Sequence, residues 1–264
     1  MALSPGALVL YMAPIFLSIA TTPTMAKVEL INNGFEGVVV AISPTINESQ
    51  AMEMNLLEAI KQAMKDGSQT LFESTQQRVF FRKVDILIPY SWNITQFETA
   101  VSYGYREGHI RVENSNPIYQ DQPYTQQVKL ECGAPGEFIH LTPDYLSDED
   151  QVKAWGNRGK NIATEWAKFR WGIFDELGYA NDPVYPLFYQ VHSIVEGVSS
   201  STYEPNFCAN KHVKGKTIDR TTLNIPCKYG HYGKPDANCR FQPDLEDNQE
   251  VESSILNYLP LRNN

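Results

Sequence analysis

Apolar positions along the chain fall into two rhythms, and each predicts its own elements. KVELINNGFEGVVVAISP (Lys27–Pro44) reads as two short strands around a turn at Asn32-Asn33-Gly34. Within it, Gly37–Ile42 is almost wholly apolar, as a central strand is. RVFFRKVDILIP (Arg78–Pro89) predicts a second strong strand, with Val84, Ile86 and Ile88 on one face. Gly108–Glu113 and Gly136–Leu141 predict further strands. The other rhythm is helical. Met52, Leu56, Ile60, Ala63 and Met64 recur at helical spacing, and Gly67 is the expected stop. Ser147-Asp148-Glu149-Asp150 resembles a capping box that opens a short helix to Trp155. A further helix is expected from about Arg158 to Trp171. It places Ile162, Trp166, Phe169 and Ile173 on one face, as a core stripe. Thr164 and Lys168 are four apart on another face, with Glu165 beside them. Gly172 lets the chain turn, and Asp175 follows. From about Thr202 the sequence becomes Cys- and Gly-containing and strand-poor, and after Phe241 the tail PDLEDNQEVESS is acidic. Strand, helix, strands and then helices describe an α/β or α+β domain.

Composition narrows this picture. The chain has 264 residues, enough for one large domain or one domain plus a small module. Hydrophobic residues make up 42% and charged residues 20%, which is the balance of a folded chain. A net charge of −9, with no basic run, argues against a nucleic-acid partner. ALVLYMAPIFLSIA (Ala7–Ala20) is uncharged, short for a membrane span and of the right length for a signal-peptide core. Residues 1–20 are read as that signal peptide, with small Ser18 and Ala20 before the cleavage point and Met25 or Ala26 as alternatives. No later stretch is long and apolar enough to cross a bilayer, so a secreted, extracellular mature protein is expected. Two glycosylation sequons, Asn47-Glu48-Ser49 and Asn93-Ile94-Thr95, agree with that route. Cys132, Cys208, Cys227 and Cys239 can form two disulfides in three pairings. A zinc knuckle with His212 and His231 is the rival reading, but there is no C-x-x-C spacing, and disulfides are expected.

The chemistry of interest lies in ATEWAKFRWGIFDELGY (residues 163–179). A zinc-protease helix reads H-E-x-x-H, with two histidines on one face and a glutamate as general base. Here Glu165 is present, but Thr164 and Lys168 stand at the histidine positions. His140 and His192 could rebuild a metal site by residue type only. There is no G-x-S-x-G elbow and no P-loop, and no cysteine has a nucleophile context.

The pattern T-E-W-A-K-F-R-W-G-I-F-D-E resembles the H-E-W-A-H-x-R-W-G-x-F-D-E signature of the calcium-activated chloride channel regulator family. NNGFEGVVVAISP, RVFFRKVDILIPYSW, GEFIHLTPDYL and FCANKHVKGKTIDRTTLNIPCKYG also resemble the N-terminal part of that family, in the same order, from about Lys27 to Leu256. The resemblance implies an α+β, α/β-like fold: a zincin-like metalloprotease domain with a mixed sheet and an active-site-type helix, then a small Cys-rich region. It implies a zincin-like domain over 21–200, the Cys-rich region over 201–245 and a truncated C-terminal tail over 246–264. No von Willebrand factor type A domain follows, and a short, truncated member of the family is expected. In the family pattern, zinc ligands stand at the positions of Thr164, Lys168 and Asp175, with Glu165 as the base. Threonine is a poor neutral ligand, and a lysine ammonium has no lone pair to offer. The expectation is therefore a metalloprotease-like pseudoenzyme with a vestigial Glu165 and no zinc. Lys168 is expected either to pair with Glu165 or Asp175 in the metal's place, or to be solvated in a disused cleft. Such a protein would modulate calcium-dependent chloride conductance by binding a chloride channel or another secreted or surface protein. The alternatives are an active zinc metallopeptidase with an altered metal site and an unstable truncated product with no function.

Overall fold

The computed structural model describes residues 27–93, 104–129, 131–179, 182–195, 198–206, 208–219, 226–230, 233–244, 251 and 253–257. The expected signal peptide lies outside the described residues. The chain opens with β1 (Glu29–Ile31), β2 (Gly34–Glu36) and the fully buried β3 (Val38–Ile42). Asn32 and Asn33 make the first turn with positive φ, which asparagine tolerates. Helices α1 (Glu48–Glu53) and α2 (Leu56–Ser74) follow, then β4 (Phe80–Phe81), β5 (Val84–Leu87), β6 (Ile110–Val112), β7 (Tyr124–Gln126) and β8 (Phe138–Leu141). Helices α3 (Pro143–Ser147), α4 (Glu149–Trp155) and α5 (Arg158–Trp171) come next. Two antiparallel pairs follow: the hairpin of β9 (Phe188–Val195) with β10 (Val198–Pro205), and β11 (Gly215–Asp219) with β12 (Cys239–Pro243).

The main sheet has the order β5-β3-β6-β8-β7. Its first four strands are parallel, and β7 runs antiparallel along the β8 edge. A second sheet has the order β1-β2-β4. The architecture is thus mixed α and β with several sheets and one disulfide, Cys227–Cys239.

Alternation along the strands puts Val38, Val40, Ile42, Ile110, Val112, Ile139 and Leu141 into the core. Helix α2 adds Leu56, Ile60, Ala63, Met64 and Leu71, and α5 adds Ile162, Ala163, Trp166 and Phe169. Trp166 is the centre of an aromatic cluster, with Phe35 at 5.2 Å and Phe81 at 4.8 Å, both edge-on. Helices α2 and α5 touch at two glycines. A Cβ on Gly67 would strike the Ile162 side chain, and one on Gly159 would strike the Asp66 backbone.

Several expectations are corrected by this packing. Gly67 does not stop α2, which continues to Ser74, because the glycine serves the close approach of α5. Met52 belongs to α1 and is 62% exposed, off the buried face of α2. Arg78–Pro89 is two strands. The Arg82 and Lys83 N–H groups both donate to Phe35 O, and there the chain changes sheets, from β2 to β3. The region from Thr202, expected to be strand-poor, contains β11 and β12. Cys132 and Cys208 are free thiols on separate exposed loops, so one of the two expected disulfides is present. The short α4 to Trp155 and the span of α5 are as the pattern predicts, but the Ser147 capping box does not form: Ser147 ends α3 with its hydroxyl on Pro143 O, and Asp148 caps α4 as Asn157 caps α5.

Candidate functional site

Helix α5 lies against the main sheet beside its antiparallel edge strand. Asn157 caps its first turn by accepting from the Lys160 N–H, 3.1 Å away. Lys160 itself is buried, and burial lowers its pKa to about 8. At the other end Gly172 has φ of 62° and donates to Lys168 O. No residue with a Cβ fits there, since Ala134 occupies the space. The turn sends the chain back along the helix, and this return brings Asp175 to Lys168.

The result is a charge cluster built on the buried Glu165, with Lys168 and Asp175 partly buried. Lys168 Nζ lies 2.8 Å from Glu165 Oε1 and 2.6 Å from Asp175 Oδ1. Thr125 on β7 places its hydroxyl 2.7 Å from Glu165 Oε2 and 2.9 Å from the Glu165 main-chain oxygen. Tyr179 donates to Asp175 Oδ2 at 3.1 Å. Glu165 is 4% exposed, so both its oxygens are committed inside the protein, one to an ammonium and one to a hydroxyl.

Two carboxylates share one cation here, and the pKa directions follow from that count. Burial raises the Glu165 carboxyl; Lys168 opposes this and the nearby Asp175 adds to it. Burial works to lower the Lys168 ammonium, but Glu165 and Asp175 outweigh it, so Lys168 is raised and stays charged. The Tyr179 phenol is pushed up to about 12, by burial first and by Asp175 next.

The structure thus brings Glu165, Lys168 and Asp175 together and turns Thr164 elsewhere. The Thr164 hydroxyl donates to Ile255 O at 2.7 Å, in a segment distant in sequence. His140 sits on β8, buried, and stacks on Tyr124 at 4.8 Å, with Nδ1 lacking a hydrogen-bond partner. Burial lowers its pKa against the opposing pull of Glu113, so the ring is kept neutral. His192 is exposed in the middle of β9, opposite Ser201. His212 is exposed, and His231 lies outside the described residues. Among the described residues, no group of three His, Cys, Asp or Glu side chains is placed to hold a metal ion. Asn47 is exposed and caps α1, and Asn93 is exposed with its N–H on Glu48 Oε2. Thr95 of the second sequon lies outside the described residues.

Sequence reasoning missed Thr125, Tyr179 and Ile255. Tyr179 follows Asp175 by four residues, and that spacing was the one local signal. Thr125 and Ile255 reach α5 only through the tertiary fold.

Comparison with known proteins follows the same residues. Residues 28–261 match the family described as calcium-activated chloride channel N terminal, so the chain belongs to the calcium-activated chloride channel regulator family. It is 33% identical to calcium-activated chloride channel regulator 1 of Bos taurus over 246 residues, covering 92% of this chain and 26% of the relative. It is 38% identical to regulator 1 of Homo sapiens over 230 residues, 87% of this chain and 23% of the relative. Against regulator 2 of Homo sapiens it is 38% identical over 157 residues, 60% of this chain and 16% of the relative. The chain therefore spans about a quarter or less of the length of these relatives. No solved structure matches it.

Proposed function

We propose that this chain is a secreted, metalloprotease-like member of its family that has no peptidase activity, and that it acts by binding proteins. The observation that carries the reading is the place of the Lys168 ammonium, between Glu165 and Asp175. A catalytic zinc needs three lone-pair donors and an open position for water. The positions that the sequence pattern assigns to such donors hold a hydroxyl bonded to Ile255 O, an ammonium, and a carboxylate neutralised by that ammonium. These residues do not fit zinc. The general-base role of Glu165 also needs a free carboxylate oxygen next to water. Both Glu165 oxygens are taken up by Lys168 and Thr125, away from solvent. The charge cluster supports a structural role for residues that would otherwise be catalytic.

The name shared by the relatives, calcium-activated chloride channel regulator, supports an effect on calcium-dependent chloride conductance through a channel or a surface protein. The test begins with elemental analysis of the purified protein beside a Thr164→His, Lys168→His double variant. The native chain is expected to hold no zinc and the variant to approach one zinc per chain, on the order expected for two histidines and Asp175 as ligands. Stoichiometric zinc in the native chain would overturn the inactive reading. The native protein, applied to cells that carry a calcium-dependent chloride current, is expected to change that current. No change in current would remove the channel-related part of the proposal.

A further inference from the structure

The β9–β10 hairpin stands apart from the rest of the fold. Its two strands make their contacts chiefly with each other. Tyr189 is 45% and Ile194 77% exposed, and none of residues 188–194 and 199–205 is buried. A two-stranded ribbon of this kind is marginal by itself in water. One of its outer edges, that of β9, is also unguarded. Native edge strands are kept from pairing by charges, prolines, bulges or shortness. β5 has Asp85 paired with Lys83, β1 has Glu29 paired with Lys27, and β7 has only three residues. β11 and β12 carry Lys216, Asp219 and Arg240. β9 reads FYQVHSIV, eight residues without an acidic residue, a lysine, an arginine or a proline. Its partner β10 holds Glu204 and Pro205.

The geometry points to antiparallel pairing of β9 with β9 of a second copy of this chain. The phase of the hairpin identifies the groups available. The Asn206 N–H donates to Leu187 O, so Leu187 and Asn206 form a hydrogen-bonded pair just before the Phe188↔Pro205 step. Bonded and non-bonded pairs alternate along an antiparallel ladder. Phe188, Gln190, His192 and Ile194 therefore turn their N–H and C=O groups away from β10, to an edge that no other strand of the described residues occupies. A two-fold axis beside Val191 sets Phe188 against Ile194 of the other copy and Gln190 against His192. This register uses every outward group, for about eight main-chain hydrogen bonds. It also joins two apolar cross-strand pairs and extends the ribbon to four strands. Pairing about a two-fold is self-complementary, so one uncharged edge suffices for both partners. The interface is smaller than the roughly 1,200 Å² of a stable complex, so a weak, micromolar association is expected. The net charge of −9 on each copy opposes it, and salt relieves the opposition.

Sedimentation of the whole protein over rising concentration at physiological salt tests this. The native mass is expected to climb from monomer towards dimer. Gln190→Pro removes an outward N–H that β10 does not use, leaves the hairpin ladder intact, and is expected to weaken association about tenfold or more. An unchanged near-ultraviolet circular dichroism spectrum shows that this variant is folded. A Val191→Cys variant, made in a Cys132→Ser, Cys208→Ser background, reads the register. Val191 faces itself across the axis at about 4.5 Å between Cα atoms, within disulfide reach, and should cross-link under mild oxidation. Tyr189→Cys in the same background faces Ser193 and should not. A native protein that stays monomeric, or a dimer that Gln190→Pro leaves undiminished, overturns the inference. Equal cross-linking at both positions overturns the register.

Discussion

Lys168 has the largest electrostatic task of any side chain in the site. It is one positive charge facing two carboxylates, with Glu165 buried. The Glu165 pKa is raised above 4.5, so the folded state keeps a proton that the unfolded state has lost. Stability from this group therefore falls as pH rises through the window that begins at 4.5. The Lys168 pKa is raised above 10.5, so its contribution is complete below that value and is lost as pH rises further. Lys168→Met keeps most of the packing and removes the charge. It leaves two carboxylates without their cation, and the expected loss is about 3–5 kcal/mol at neutral pH. The loss should shrink towards about pH 4, where protonation of Glu165 relieves the repulsion. Urea midpoints at the two pH values measure this. A deficit of equal size at both would mean that Lys168 acts through its alkyl chain alone.

At the scale of elements, α5 and the turn after it decide what the site becomes. The turn needs glycine for two separate reasons, a φ of 62° and the contact with Ala134. Left-handed backbone costs an alanine about 1–2 kcal/mol. The clash adds to this, so Gly172→Ala is expected to lower stability by about 2 kcal/mol or more. Asparagine often replaces glycine at a helix end because it tolerates the φ. Here Gly172→Asn should not rescue the alanine variant, because its Cβ meets Ala134 just the same. Thermal melts of the two variants separate strain from clash, and an Asn variant as stable as the parent would show that φ alone sets the requirement. The same element shows what the sequence makes legible. Asn157, the apolar stripe and Gly172 mark α5 through local chemistry, and the sequence reading bounded it at Arg158 and Trp171, as observed. β7 had no such mark. Tyr124-Thr125-Gln126 has no apolar alternation and is a strand only because β8 offers an edge. Gly67 looked like a helix stop because its real reason, Ile162, lies far along the chain. Glu165, Lys168 and Asp175 were readable as a group because they lie within one helix and its following turn. Thr125 was not readable, since only the packing of β7 on α5 brings it there.

Over the whole molecule, the segment around Leu256 joins pieces that share little else. Thr164 donates to Ile255 O, and the Glu176 N–H donates to Leu256 O. Ser253 bridges to Ala209, and the Asn257 amide donates to Cys208 O. Leu256 and Asn257 are buried, and both lie within the residues that match the family. This strap is therefore packed and bonded against α5. Removing it should expose α5 and cost about 2 kcal/mol for Leu256 alone, before the hydrogen bonds are counted. A double-mutant cycle makes the claim sharper than a deletion can. Thr164→Val conserves shape and removes only the hydroxyl, so in the full chain it leaves Ile255 O without its buried donor, at a cost of about 1–2 kcal/mol. In a chain that ends at Glu250 that acceptor is gone, and the same substitution should cost almost nothing. The difference between the two costs, read from urea midpoints, is the coupling between α5 and the strap, and about 1 kcal/mol or more is expected. Equal costs in both chains would mean that the Thr164 hydroxyl has another partner. The strap would then pack against the site without being bonded to it.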